Sequence, residues 1–175
     1  MLALLFSASL AHALTGVEVA AQLESLRPHR GIDTAPKIPA SAYQKALDGK
    51  IARGIEVVED IKAAKGYGVA VFDLPIEALW KAIADEDHHA NLTSVKMSET
   101  IQGTPRTHDH VLFQYLDIPV LTDRWWLVKI QYTGALYTAS GGKAWEITWQ
   151  DRNTDPALVG LLDLAQFDDA MPVAW

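Results

Sequence analysis

The sequence contains no cysteine. This absence excludes disulfide bonds, thiolate nucleophiles and zinc sites with cysteine ligands. Both the cytoplasm and the periplasm contain proteins without cysteine, so the absence does not select a compartment.

Clusters of basic residues are also missing. The chain has 15 Lys and Arg against 22 Asp and Glu, which gives a formal net charge of −7. Nucleic acids and anionic membranes bind proteins through concentrated positive charge. The sequence therefore predicts neither as the main partner, although a transient contact with a membrane or a protein stays open.

Long apolar runs are absent, and the longest candidate extends only from Leu2 to Leu10. That run is too short to span a bilayer, so no integral membrane segment is predicted. It precedes Ala11-His12-Ala13, the small-x-small pattern that signal peptidases cleave. We interpret residues 1–13 as a signal peptide, which predicts a periplasmic or secreted protein. The alternative is the apolar start of a cytoplasmic protein.

The 175 residues are 49% hydrophobic and 21% charged, which is typical of one folded domain with a core. Residues 14–40 are interpreted as an N-terminal segment and linker because Pro28, Pro36 and Pro39 interrupt regular structure. Residues 41–175 are then the folded domain.

Periodicity predicts mixed helix and strand in this domain. A hairpin is predicted from the segment after Gly49 and the run Tyr67 to Leu74, and a helix is predicted after Pro75. Four strands follow by their period of two, around Val95–Ile101, Val111–Leu116, Trp126–Tyr132 and Trp145–Gln150. Turn residues between the four strands indicate an antiparallel meander.

The sequence resembles the START and polyketide-cyclase-like superfamily in three segments, which are Gly68 to Trp80, Phe113 to Pro119 and Thr122 to Trp126. The resemblance covers about residues 50 to 150 and implies an α+β helix-grip fold, in which a curved antiparallel sheet packs on helices. Only a short helix fits between Ala157 and Phe167, whereas the family ends in a long one. We therefore expect the C-terminal part of the fold to be incomplete and the apolar sheet face to be partly open.

The resemblance implies a ligand cavity between the sheet and a helix. If the more apolar strand faces point inward, eight side chains line it: Phe113, Tyr115, Arg124, Trp126, Val128, Trp145, Ile147 and Trp149. Such a wall suits a lipid, sterol or polycyclic ligand, because burial of apolar area supplies the affinity. The alternative is that these side chains fill an ordinary core.

Arg124 is the one cation in this set. It has the same parity as Trp126, so its guanidinium could contact a ligand carboxylate or hydroxyl. The alternative is a salt bridge with Asp117, Asp123 or another carboxylate that fixes the hairpin.

His108 and His110 share a strand face, as two metal ligands would. Gln114 stands where a third, glutamate ligand would be expected, so no metal site is predicted. No cofactor motif is found either.

These observations predict a protein that binds or transfers a hydrophobic small molecule, and they favour a non-enzymatic binding protein without deciding whether it also catalyses a reaction. One alternative is a cyclase or aromatase-type enzyme in which Tyr115, Arg124 and Asp117 position a poly-keto chain. Another is an interaction module whose cavity is filled.

Overall fold

A computed structural model describes residues 2–6, 14–32, 34–58, 63–118, 122–167 and 170–173. The helices are α1 (Gly16–Ser25), α2 (Ala40–Leu47), α3 (Ile76–Ile83), α4 (His89–Leu92), α5 (Gly134–Ala139) and α6 (Pro156–Val159). The strands are β1 (Leu2–Phe6), β2 (Ala52–Val58), β3 (Ala63–Val69), β4 (Met97–Gln102), β5 (His110–Leu116), β6 (Arg124–Tyr132), β7 (Ala144–Asp151) and β8 (Met171–Pro172).

The main sheet has the order β1-β7-β6-β5-β4, and all four of these pairings are antiparallel. The short β8 adds to β6 in parallel. The four strands of the predicted meander are therefore confirmed, as is the α+β class. A bulge interrupts β4, where Thr100 pairs with Leu112 but Gln102 pairs with Val111, so that Ile101 is the extra residue.

A separate two-stranded sheet consists of β2 and β3. The hairpin was predicted, but β3 begins at Ala63 and ends at Val69, several residues earlier than the sequence pattern indicated. Val71, Phe72 and Leu74 lie outside it and are exposed. The predicted helix begins at Ile76, after Pro75 as its N-cap residue.

The main sheet is buried on both faces. The Phe113 face carries Val111, Phe113, Trp125 and Leu127, and the segment from Leu158 to Ala170 packs against it. The Trp126 face carries the other residues of the same strands, with a core of Leu112, Val128, Ile130 and Ile147 under Trp80 and Ile83 of α3.

The expectation of an open face at Phe113 is wrong. Phe113 is only 1% exposed, because the chain after β7 folds back over it through Leu158, Leu162 and Phe167. In the described part of this segment, the α-helix is limited to the four residues of α6. Short apolar turns therefore cover the surface for which a long helix was expected.

The N-terminal residues contain regular structure that the sequence reading did not predict. Leu2–Phe6 form strand β1 beside β7, while Ala11-His12-Ala13 lie outside the described residues, so export stays a prediction. Gly16–Ser25 form α1, which packs on α2. Within the described ranges, no helix has the length and apolar character that crossing a membrane requires.

Gly16 is the residue that allows α1 and α2 to approach each other. Its N–H donates to Oε1 of Gln44 at 2.9 Å, and a Cβ at this position would lie 2.3 Å from the carbonyl oxygen of Ala40. We predict that Gly16→Ala lowers the free energy of unfolding by about 1–3 kcal/mol, since backbone must move to relieve the overlap. Urea denaturation measures the change.

Gly134 provides a matched control, because it also begins a helix but has no atom within 4 Å of a built Cβ. Gly134→Ala should be neutral or stabilising by up to about 1 kcal/mol. Equal losses in both variants would contradict the close approach of the two helices.

Candidate functional site

Six of the eight predicted wall residues share the Trp126 face. Strand parity places Arg124, Trp126 and Val128 on one side of β6. The pairing of Ile130 with Trp149 and of Tyr132 with Ile147 puts Trp145, Ile147 and Trp149 of β7 on the same face. Val128 and Ile147 are each 1% exposed and fully part of the core. The tryptophans are half-buried, and Trp145 makes an edge-to-face contact with Trp80 at 5.0 Å between ring centroids.

Phe113 and Tyr115 lie on the opposite face, so the prediction that they share a wall with Trp126 is wrong. The register pairs Gln114 with Trp126 and Leu112 with Val128, which directs Phe113 to the other side. Each side of β5 carries apolar side chains, Leu112 and Leu116 on one and Val111 and Phe113 on the other. Alternation of hydrophobicity therefore could not identify the inner face.

Gln114 forms a hydrogen bond with the indole N–H of Trp126. Its Oε1 accepts a hydrogen bond from Trp126 Nε1 at 2.9 Å, and its Nε2 donates to Ser98 Oγ at 2.8 Å. Gln114 is only 3% exposed, so these bonds replace water. This part of the predicted wall is thus tied to the protein's own side chains.

The Tyr115 hydroxyl donates a hydrogen bond to Asp123, which also accepts the backbone N–H of Ile118 at 3.0 Å. The bond to Asp123 raises the pKa of Tyr115 to about 12, with smaller contributions from burial and nearby negative charge. The same bond lowers the pKa of Asp123. The pair holds the turn between β5 and β6 and leaves the phenol protonated at neutral pH.

Among the described residues, Arg124 does not form the salt bridge that was the alternative to a ligand contact. Its Nη1 donates to the backbone carbonyls of Thr122 at 2.8 Å and Asp123 at 3.1 Å. No carboxylate of the described residues forms an ion pair with it. The guanidinium therefore stabilises the backbone that leads into β6.

A buried acid and a buried histidine meet beside the Trp126 face. Glu86 is 2% exposed and His110 is fully buried, and Glu86 Oε2 lies 2.8 Å from His110 Nε2. The other ring nitrogen, Nδ1, lies 2.6 Å from the carbonyl oxygen of Thr107. A carbonyl only accepts, so Nδ1 carries a proton and the second proton is shared between Nε2 and Glu86.

This geometry makes His110 a stronger base. Burial alone would lower the pKa of His110, but the hydrogen bonds to Glu86 and Thr107 and the charges of Glu86 and Asp87 outweigh it. The pKa is consequently raised above its ordinary value of 6.5. Tyr132 packs edge-on to the imidazole, and burial, together with the charge of Glu86, raises the pKa of its phenol.

His108 and His110 do not converge. His108 Nδ1 accepts the backbone N–H of Tyr132 at 3.1 Å, whereas His110 is used by Glu86 and Thr107. In the part of the chain that the structure describes, no group of three His, Cys, Asp or Glu residues is placed to hold a metal ion.

A cavity lies away from the predicted wall, between α1, the extended segment 34–38, Tyr43 of α2 and strand β3. We call it the α1–β3 cleft, and its volume is about 1090 Å³. Its described lining is Ala20, Ala21, Leu23, Glu24, Arg27, Arg30, Ile32, Thr34, Ala35, Pro36, Lys37, Ile38, Tyr43, Lys65, Gly66, Tyr67 and Gly68. The lining therefore combines an aliphatic helix face, two tyrosines and four cations.

Local sequence explains how the walls of the cleft are held. Thr15 and Glu18 form a reciprocal capping box that begins α1. On the hairpin, the Tyr67 ring crosses Gly54, where a built Cβ would meet the phenol oxygen at 2.3 Å. The close approach to Gly54 thus fixes the Tyr67 ring beside the cleft.

Most charges at the cleft already have partners. Arg27 Nε is 2.9 Å from Glu24 Oε1, and Arg30 Nε is 3.1 Å from the buried Glu146. Lys37 and Lys65 have no described carboxylate within ion-pair distance. Burial raises the pKa of Tyr43, although Arg30 and Arg27 oppose the shift, so its phenol is neutral at physiological pH.

Sequence reasoning did not identify any lining residue of the cleft. The pattern Thr15-x-x-Glu18 was the available signal, because it predicts a helix where we assigned a linker. The tertiary contact between that helix and the hairpin has no comparable local signal.

No protein-family model, curated protein or solved structure matches the chain. Functional inference therefore rests on the geometry described above.

The buried pair predicts a pH-dependent stability. Because the pKa of His110 is higher in the folded than in the unfolded chain, the pair stabilises the fold fully below pH 6.5, and that contribution is lost as the pH rises through the raised pKa. Glu86→Gln removes the charge that favours the imidazolium. We expect this variant to lose about 1–3 kcal/mol of unfolding free energy near pH 6 and less near pH 9.

Urea denaturation across this pH range measures the difference from the unsubstituted protein. Glu99→Gln is the matched control, because it makes the same glutamate-to-glutamine change at an exposed position of β4. Parallel pH profiles for the unsubstituted protein and Glu86→Gln would contradict the assignment.

Proposed function

We propose that this protein binds a hydrophobic small molecule and that the molecule lies in the α1–β3 cleft. The observation that carries the proposal is the cleft itself, with its volume of about 1090 Å³ and its aliphatic and aromatic lining. Ligand sites of proteins are concave, largely apolar and equipped with a few polar groups. A lipid-sized or polycyclic molecule fits these properties.

The location differs from the one suggested by the sequence. The Trp126 face contributes buried core side chains and tryptophans in contact with α3, and Gln114 already occupies the indole N–H of Trp126. The cleft is instead lined by the aliphatic side of α1, which includes Leu23, and by the hairpin strand β3. The proposed ligand is therefore of the class that the sequence predicts, but its binding site is the α1–β3 cleft and not the Trp126 face.

A helix-grip arrangement related to START and polyketide-cyclase-like domains is part of the proposal. It is supported by the helix after Pro75, whose Trp80 and Ile83 pack on one face of the antiparallel meander. Export to the periplasm or the cell exterior is likewise proposed, on the sequence pattern of residues 1–13.

The cyclase alternative receives no support from the geometry. Tyr115 and Arg124 lie on opposite faces of the sheet, and Asp117 is exposed, 3.8 Å from Lys96. Three groups that position one substrate must reach a common point. These three do not, so binding is the function that the structure supports best.

The test is to fill the cleft. Ala21 lies on α1, is exposed and lines the cleft, so Ala21→Trp would place an indole in the binding space. We expect the affinity for the uncharged dye Nile red to fall at least about tenfold, since the apolar contact area is taken by the indole. Titration of dye fluorescence measures the affinity.

Ala82→Trp is the matched control, because Ala82 is an exposed alanine of α3 outside the cleft lining. This variant should bind Nile red like the unsubstituted protein. An equal affinity in both variants would move the site away from the cleft. Absence of dye binding in all three proteins would remove the proposed function.

A further inference from the structure

Two lysines at the α1–β3 cleft, Lys37 and Lys65, form no ion pair with a carboxylate of the described residues. This distinguishes them from the two arginines of the lining, since Arg27 is paired with Glu24 and Arg30 with Glu146. The two lysines come from different elements, one from the extended segment 34–38 and one from β3. Their convergence on one cavity is thus a product of the tertiary fold.

The sign of the lining charge is opposite to that of the whole protein. Four cations and a single carboxylate, Glu24, are present in the described lining, although the chain carries a net charge of −7. In an acidic protein, randomly placed charges would favour carboxylates. Because Arg27 and Arg30 are already paired, the unpaired positive charge of the lining comes from Lys37 and Lys65, and this charge attracts anions.

Glu56 is a further acid of the described hairpin and stands directly opposite Lys65 in the strand register. Its Oε2 accepts the backbone N–H of Lys37 at 3.2 Å, which fixes the extended segment against the hairpin. Glu56 does not line the cleft. Glu56 thus bonds the backbone of Lys37, and no described ion pair occupies the ammonium group of Lys37 or Lys65.

The rest of the lining is unsuited to a simple inorganic anion. Leu23, Ile32 and Ile38 present aliphatic surface, and the rings of Tyr43 and Tyr67 add aromatic surface. These groups supply affinity only to a ligand that has an apolar body. Together, the lysines and the apolar walls match a molecule with two chemically different ends.

We propose that the ligand of the α1–β3 cleft is a free amphipathic acid, whose anionic head contacts Lys37 and Lys65 and whose apolar body lies against Leu23, Ile38 and the two tyrosines. This inference rests on the proposed function and adds the class of ligand. It also assigns the two lysines as the residues that determine specificity.

The experiment compares three ligands of the same chain length: decanoate, 1-decanol and decyltrimethylammonium. The affinity of each ligand is measured by its displacement of Nile red from the protein, at low salt and at ligand concentrations below those at which the ligand forms micelles. Decanoate should bind about tenfold more tightly than 1-decanol, because a carboxylate gains charge-assisted hydrogen bonds from the ammonium groups. Decyltrimethylammonium should bind most weakly.

The double variant Lys37→Gln/Lys65→Gln identifies the residues responsible. It should bind decanoate no more tightly than 1-decanol, while its affinity for 1-decanol stays within about twofold of the unsubstituted value. Lys143→Gln is the matched control, because Lys143 is an exposed lysine outside the cleft lining. The ligand comparison on the unsubstituted protein needs no variant and holds even if the double variant does not fold.

The outcomes separate the two proposals. Equal binding of decanoate and 1-decanol would overturn the acidic head while leaving the proposed function intact. Failure of all three ligands would overturn both. Competition by acetate as strong as that by decanoate would show a site for anions alone and overturn the amphipathic ligand. Lysine-dependent sedimentation with phosphatidylglycerol vesicles, without decanoate binding, would assign the lysines to a membrane surface and also overturn it.

Discussion

The carboxylate of Glu146 is buried in β7, where it is 1% exposed, and a charge removed from water has to be paired within the protein. Both of its described partners come from the segment after α1. Arg30 Nε lies 3.1 Å from Oε1, and the N–H of Gly31 lies 2.6 Å from Oε2. The N-terminal segment is therefore tied to the main sheet at this point. Arg30 also lines the α1–β3 cleft, so the wall of the candidate site depends on the same ion pair.

The sequence patterns were sufficient to predict four strands of the main sheet, but not β1, β8 or the faces of the sheet. Period-two alternation identified the four strands from β4 to β7, and Pro75 marked the start of α3, because these signals act over a few residues. On β5, Leu112 and Phe113 are equally apolar, and each is buried on its own face. The choice of the inner face is made by the register with β6, which local periodicity does not contain.

The location of the candidate site could not be predicted from the sequence for a related reason. Its lining comes from α1, the extended segment, α2 and β3, which are separated along the chain and brought together by contacts such as Gly16 with Gln44. Six of the predicted wall residues do share one face, but strand parity alone does not say whether such a face borders a cavity or a core. No sequence pattern distinguishes Lys37 and Lys65 from other lysines, since isolated lysines are usually solvated.

The bulged strand β4 lies at one end of the main sheet. Groups of the same chain form hydrogen bonds with its outer edge. The N–H of Thr100 donates to Asp87 Oδ1 at 3.0 Å, and the Ser98 hydroxyl donates to the carbonyl of Glu86. An unprotected edge strand offers its amide groups to any extended chain and so promotes aggregation. Here a carboxylate occupies one such amide, and the extra residue Ile101 disturbs the regular spacing. Another molecule could extend the sheet at this edge only by displacing Asp87, which gives this protein a local defence against edge-to-edge polymerisation.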